Sequence, residues 1–276
     1  MVSPAWLAEQ IGAPDIAVLD ATWFMPGDAR NPRAMHVAAR IPGARYFDID
    51  AVADTESNLP HMLPTPDAFQ ANMRALGLNS GARIIVYDAQ GLFSAPRAWW
   101  SLRAMGAADV FVLDGGLPAW TAAGHDIETG AARNPAPGDF IARYDAALVS
   151  DLKRVQEALH QNIPVLDARP AARFRGDEPE PRPGLASGHM PGAVNIPWSG
   201  LVTADARLRP SEELRHIFTA GDIARDAAPI CTCGSGVTAA MVALALARLG
   251  RWDASIYDGA WAEWGALPGA PLAKGA

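Results

Sequence analysis

The chain has 276 residues, half of them apolar and 19% charged, which is enough for packed cores and too apolar for a disordered chain. A net charge of −7 argues against nucleic acid or an anionic membrane as partner, and two cysteines exclude a disulfide scaffold. Residues 1–9 hold no basic stretch and no targeting or membrane segment is read, so a soluble cytoplasmic protein is expected.

Along the chain, Ser3 is a good N-cap for an opening amphipathic segment. Short apolar runs at 16–21, 83–88 and 110–113 have strand length, and helical patterns lie at 66–76 and 95–104. The stretch 130–138 is polar and rich in Pro and Gly, as a connecting segment would be. The same order then returns. Val149-Ser150 opens a second amphipathic segment, with Ser150 read as its N-cap. Apolar runs follow at 164–168, 229–233 and 254–257, with helical patterns at 211–219 and 237–249. Residues 227–247 carry no charge, but Pro229 and Gly234-Ser235-Gly236 break the run into strand, loop and helix. The tail from residue 267 reads as loose.

The repetition extends to individual residues. Val18-Leu19-Asp20-Ala21 returns as Val165-Leu166-Asp167-Ala168, and Ile41-Pro42-Gly43-Ala44 as Met190-Pro191-Gly192-Ala193. Leu113-Asp114-Gly115-Gly116 with Trp120 returns as Tyr257-Asp258-Gly259-Ala260 with Trp264. Two tandem α/β domains are expected, over 1–128 and 148–276 with a linker at 129–147. Each should be a mainly parallel sheet with helices on both faces, its ligand site at the carboxyl ends of the strands. Trp99, Trp120, Trp261 and Trp264 fall in helical patterns and are read as core.

One strand end carries chemistry. Cys233 leads through Gly234-Ser235-Gly236-Val237-Thr238 into a helix. Unsatisfied N–H groups and the helix dipole at that place favour a thiolate, and the glycines let successive amides form an anion nest. Three other readings of this loop are weaker. It fits a dinucleotide fingerprint, but late in its domain. A cysteine phosphatase would need Arg at residue 239, which is Ala. A metal at Cys231-x-Cys233 would lack further ligands nearby, so Cys231 is read as core. No metal or cofactor is expected. In the first copy either Asp88 or Ala89 stands where Cys233 stands in the second, so that copy lacks the nucleophile.

With these residues the whole chain resembles the two-domain rhodanese-type sulfurtransferases, in the form that acts on 3-mercaptopyruvate. The Cys233–Thr238 loop carries the likeness, with Phe47-Asp-Ile-Asp50, His61-Met-Leu-Pro64, Ser94-Ala-Pro-Arg97, Arg173-Phe-Arg-Gly176, Pro179-Glu-Pro-Arg182 and Gly188-His-Met-Pro-Gly192. The resemblance implies sulfur transfer through a Cys233 persulfide, with release of pyruvate and delivery to thioredoxin, a small thiol or cyanide. It assigns Ser235, Asp50 and His61 to catalysis, the last two reaching the site from the first domain. It assigns Arg173, Arg182 and the loop residues Gly234, Gly236, Val237 and Thr238 to substrate binding. Arg175 is read as structural, and His189 as a brace for its turn. A thiosulfate sulfurtransferase and a persulfide-carrying binding protein remain the rival readings. The first would want basic residues after the cysteine, and the second has no need of a carboxylate-gripping arginine pair.

Overall fold

The computed structural model describes residues 1–132, 135–221 and 227–275. Within the stretch 130–138, Arg133 and Asn134 therefore lie outside the described residues. The chain forms two compact units, one of residues 1–55, 63–145 and 203–208, the other of residues 56–62, 146–202 and 209–276.

In the first unit, strands β1 (Ile16–Asp20), β2 (Arg45–Tyr46), β3 (Arg83–Tyr87) and β4 (Val110–Val112) form a sheet of order β2-β1-β3-β4. All its ladders are parallel. Helices α1 (Pro4–Gln10), α2 (Pro32–Ala38), α3 (Pro66–Ala75), α4 (Ala95–Ala104) and α5 (Gly116–Ala122) complete it. Consecutive residues of β1 and β3 are buried, which requires cover on both faces of the sheet. Leu7, Val18, Ile41, Ile85, Tyr87 and Trp120 form one core cluster. Each of α1, α2 and α3 starts on Pro and is capped by a polar side chain: Ser3, Asn31 and Thr65 respectively.

The second unit repeats the plan. Strands β5 (Val149–Ser150), β6 (Val165–Asp167), β7 (Val194–Asn195), β8 (Ile230–Thr232) and β9 (Ser255–Tyr257) give the parallel order β5-β9-β8-β6-β7. Its helices are α6 (Leu152–His160), α7 (Ala171–Arg175), α8 (Ser211–Ala220), α9 (Ala239–Arg248) and α10 (Ala260–Trp264). Val155, Met190, Ile230, Tyr257, Trp261 and Trp264 share its core. All four tryptophans read as core, Trp99, Trp120, Trp261 and Trp264, are buried.

Three expectations need correction. Ser150 is not a helix cap: it lies in β5, where its hydroxyl bonds that of Ser255, and Asp151 caps α6. The tail is not loose as far as residue 275. Ala273 exchanges two backbone bonds with His189, and Gly275 donates to the Arg175 carbonyl. The strands are shorter than their apolar runs, so Cys233 is the first residue beyond β8 rather than its last. Residues 138–145 run along the first unit, with Phe140 buried and Asp145 donating to the Ala104 carbonyl. No described helix is long and apolar enough to cross a membrane.

Candidate active site

Backbone hydrogen bonds settle the register between the two copies. Ala21 donates to the Tyr87 carbonyl and, in the second unit, Ala168 donates to that of Thr232, both at 2.8 Å. Leu117 donates to Asp88 at 3.0 Å just as Trp261 donates to Cys233 at 2.9 Å. Asp88, not Ala89, therefore occupies the position of Cys233.

What the two residues do there differs. The Asp88 carboxylate is fully buried and turns back into its own loop. Oδ2 accepts from the backbone N–H groups of Phe93, Ser94 and Ala95, and Oδ1 from that of Gln90, each at 2.9 Å. Burial pushes this carboxyl upward from its ordinary value, and the four amides offset part of that. The first copy thus fills its strand-end nest with a carboxyl group of its own.

The second copy has no such plug. Cys233 is a free, buried thiol followed by a loop that reaches α9 only at Ala239. Among the described residues, no hydrogen-bond acceptor is found for the backbone N–H groups of Gly234, Ser235, Val237 and Thr238. Gly236 has φ +76°, the left-handed conformation that favours glycine. A Cβ on Gly234 would meet no atom within 4 Å, so that residue borders open space. Ser235 is buried in the same loop. The loop is tied down from below, because Trp261 and Ala262 of α10 donate to the carbonyls of Cys233 and Gly234. The arrangement suits a sulfur anion: a thiol at a strand end, beside amides with nothing else to bind. The other cysteine, Cys231, lies inside β8, where burial pushes its thiol well above the ordinary range.

Arg169, which sequence reasoning missed, organises the surroundings. Its side chain is fully buried. Nε and Nη2 donate to the Asp167 carboxylate at 2.9 and 2.6 Å, and Nη1 donates to Glu180 at 2.8 Å. Nη2 also donates to the Gly188 carbonyl, and the guanidinium stacks 4.0 Å from the Trp261 ring centroid. Burial alone would lower its pKa, but Asp167 and Glu180 outweigh that and raise it. The available signal was the repeat itself. Asp20 has the same place as Asp167, and its carboxylate is bonded by Thr22 and His36 instead. A strand-end aspartate buried in both copies demands a buried partner in each.

Of the expected substrate ligands, Arg173 lies on α7 with its Nη1 3.5 Å from Glu180 Oε2. Arg182 Nη2 lies 3.4 Å from His61 Nε2. An arginine only donates, so in this contact the ring accepts through Nε2. His61 belongs to the segment 56–62, which packs into the second unit, and it holds φ +62°, uncommon outside glycine. Asp50 belongs to the first unit, where both its oxygens accept from the Trp23 indole at 3.2 Å. His189 stacks on Phe174 and its Nδ1 bonds the Phe174 carbonyl, and Arg175 pairs with Asp177. No group of three or more potential metal ligands occurs among the described residues.

Residues 3–123 and 149–267 each match the rhodanese-like domain, and the chain belongs to that family. Among its relatives is a 3-mercaptopyruvate sulfurtransferase of Escherichia coli O157:H7, 47% identical over 276 residues and covering 98% of both chains. The human 3-mercaptopyruvate sulfurtransferase is 40% identical over 271 residues, 96% of this chain and 91% of that one. A mitochondrial thiosulfate/3-mercaptopyruvate sulfurtransferase of Arabidopsis thaliana is 40% identical over 296 residues, 99% of this chain and 77% of the relative. The crystal structure of the Escherichia coli 3-mercaptopyruvate sulfotransferase SseA superposes with TM-score 0.87 at 44% identity, covering 95% of this chain and 98% of that one.

Proposed function

We propose that this protein is a sulfurtransferase that takes sulfur from 3-mercaptopyruvate onto Cys233 and passes it to a thiol or to cyanide. The Cys233 thiolate attacks the substrate's sulfur. An S–S bond forms, the C–S bond breaks, and its electron pair leaves on carbon as the pyruvate enolate. Protonation of that carbon gives pyruvate and leaves Cys233 as a persulfide. An acceptor thiolate or cyanide then attacks the outer sulfur and frees the Cys233 thiolate.

The observation that carries this reading is the contrast between the two strand-end loops. In the first unit the amides are filled by Asp88. In the second, the backbone N–H groups of Gly234, Ser235, Val237 and Thr238, which follow Cys233 in the loop, have no protein acceptor among the described residues. Such amides stabilise negative charge as it develops on sulfur. Ser235, buried in the same loop, is given the role of bonding the sulfur. Arg173 and Arg182 supply planar donors for the substrate's carboxylate and keto oxygen, which a pure persulfide carrier would not need. His61, with Arg182 at its Nε2, serves proton transfer to the enolate.

Mass spectrometry after mixing with 3-mercaptopyruvate tests the reading. One added sulfur atom is expected on Cys233 and none on Cys231, and Cys233→Ser should abolish turnover. Arg173→Ala and Arg182→Ala should each lower kcat/KM for 3-mercaptopyruvate by about 30-fold or more. Sulfur on Cys231, or unchanged kinetics in both arginine variants, would refute it. Thiosulfate kinetics in parallel decide the rival donor. Gly234 and Ser235 offer no cation to a sulfonate-like group, so thiosulfate should be the poorer substrate.

A further inference from the structure

Glu180 stands between Arg173 and Arg182 in sequence, and its side chain is only 2% exposed. Its two oxygens face different guanidinium groups. Oε1 accepts from Arg169 Nη1 at 2.8 Å, while Oε2 lies 3.5 Å from Arg173 Nη1. The two arginines differ in freedom. Arg169 is fully buried, held by Asp167 and by its stack on Trp261. Arg173 is 16% exposed, and Glu180 is its only described ion-pair partner.

We propose that Glu180 is a positioning residue for Arg173. It holds one nitrogen of that guanidinium and leaves the remaining donors for an incoming substrate carboxylate. The inference rests on the reading of Arg173 as a carboxylate ligand. An arginine side chain carries large rotamer entropy, and fixing it before substrate arrives removes that cost from binding. Only a carboxylate can do this here. An amide has one acceptor oxygen, so in either orientation its NH2 faces a guanidinium, donor against donor. Arg169 has no route to water, so the oxygen stays with Arg169 and Arg173 is released. An aspartate is shorter by one carbon, about 1.5 Å. It keeps the buried charge for Arg169 but cannot span to Arg173. Through Arg169 and Trp261 the same carboxylate is connected to the Cys233 carbonyl, so one network braces both the nucleophile loop and the anion ligand.

The test is steady-state kinetics with 3-mercaptopyruvate on Glu180→Gln, Glu180→Asp, Arg173→Ala and the double variant Glu180→Gln/Arg173→Ala. Glu180→Gln should raise KM about tenfold, mid-range for coupled charged neighbours, with kcat changed far less. Glu180→Asp should raise KM likewise with a melting temperature near wild type, which separates positioning from a loss of fold. The double variant should have the KM of Arg173→Ala alone, since the glutamate acts through that arginine. The proposal is overturned if both Glu180 variants keep or lower KM while Arg173→Ala raises it, or if the double variant is additive. If Arg173→Ala itself leaves KM unchanged, the carboxylate-ligand reading fails and takes the positioning role with it.

Discussion

Replacing Arg169 by Met keeps much of the side-chain volume and the stack on Trp261, and removes only the charge and the hydrogen bonds. What is lost can be counted. Asp167 loses donors at 2.9 and 2.6 Å, Glu180 loses one at 2.8 Å and the Gly188 carbonyl loses one at 2.9 Å. The side chains of Asp167 and Glu180 are 1% and 2% exposed, so water cannot replace the guanidinium. Stranding a buried charge by deleting its partner costs about 3–5 kcal/mol. Against a typical stability of about 5–15 kcal/mol this is a large share. At about 4 °C per kcal/mol, where the ranges for smaller and larger domains meet, the transition of the second unit should fall by about 12–20 °C. Urea titration followed by tryptophan fluorescence and scanning calorimetry would measure it. Arg169→Met/Asp167→Asn should recover part of the loss, because one stranded charge is gone. A loss under about 1 kcal/mol would show that the network is solvated, and the argument for a buried brace would fall.

The two cysteines should separate cleanly under alkylation at neutral pH. Burial holds the Cys231 thiol well above the ordinary range, so iodoacetamide in the folded protein should label Cys233 alone, as peptide mapping would reveal. Asp88→Ala strips four backbone amides of their acceptor inside the first unit and should cost at least about 3 kcal/mol in chemical denaturation. An Asp88→Cys variant exposed to 3-mercaptopyruvate should gain no sulfur at residue 88 by mass spectrometry, since the loop from Ala89 to Ser94 is not the glycine loop that follows Cys233. Gly116→Ala should destabilise the first unit in the same denaturation assay. Gly116 has φ +53°, and an added Cβ would collide with the carbonyl oxygens of Asp88 and Gly91.

The repeat, the six principal strands and the two-copy α/β plan were legible in the sequence, because each leaves a local trace. Apolar runs, glycines and a lone thiol at a strand end can be read without knowing what packs against what. Strands β2 and β7 left no trace, since two residues have no period. The cap of α6 was misread by one residue because Ser150 and Asp151 are both good caps, and only the pairing of β5 with β9 draws Ser150 into the sheet. Tertiary structure alone decided the rest. Asp88 and Cys233 were matched by backbone bonds between strands far apart in sequence. Arg169 looked like one of many charged residues, yet it is fully buried. Its charge is compensated there because Asp167 of β6 and Glu180 of a later loop converge on it, and convergence of segments is not written in any one of them.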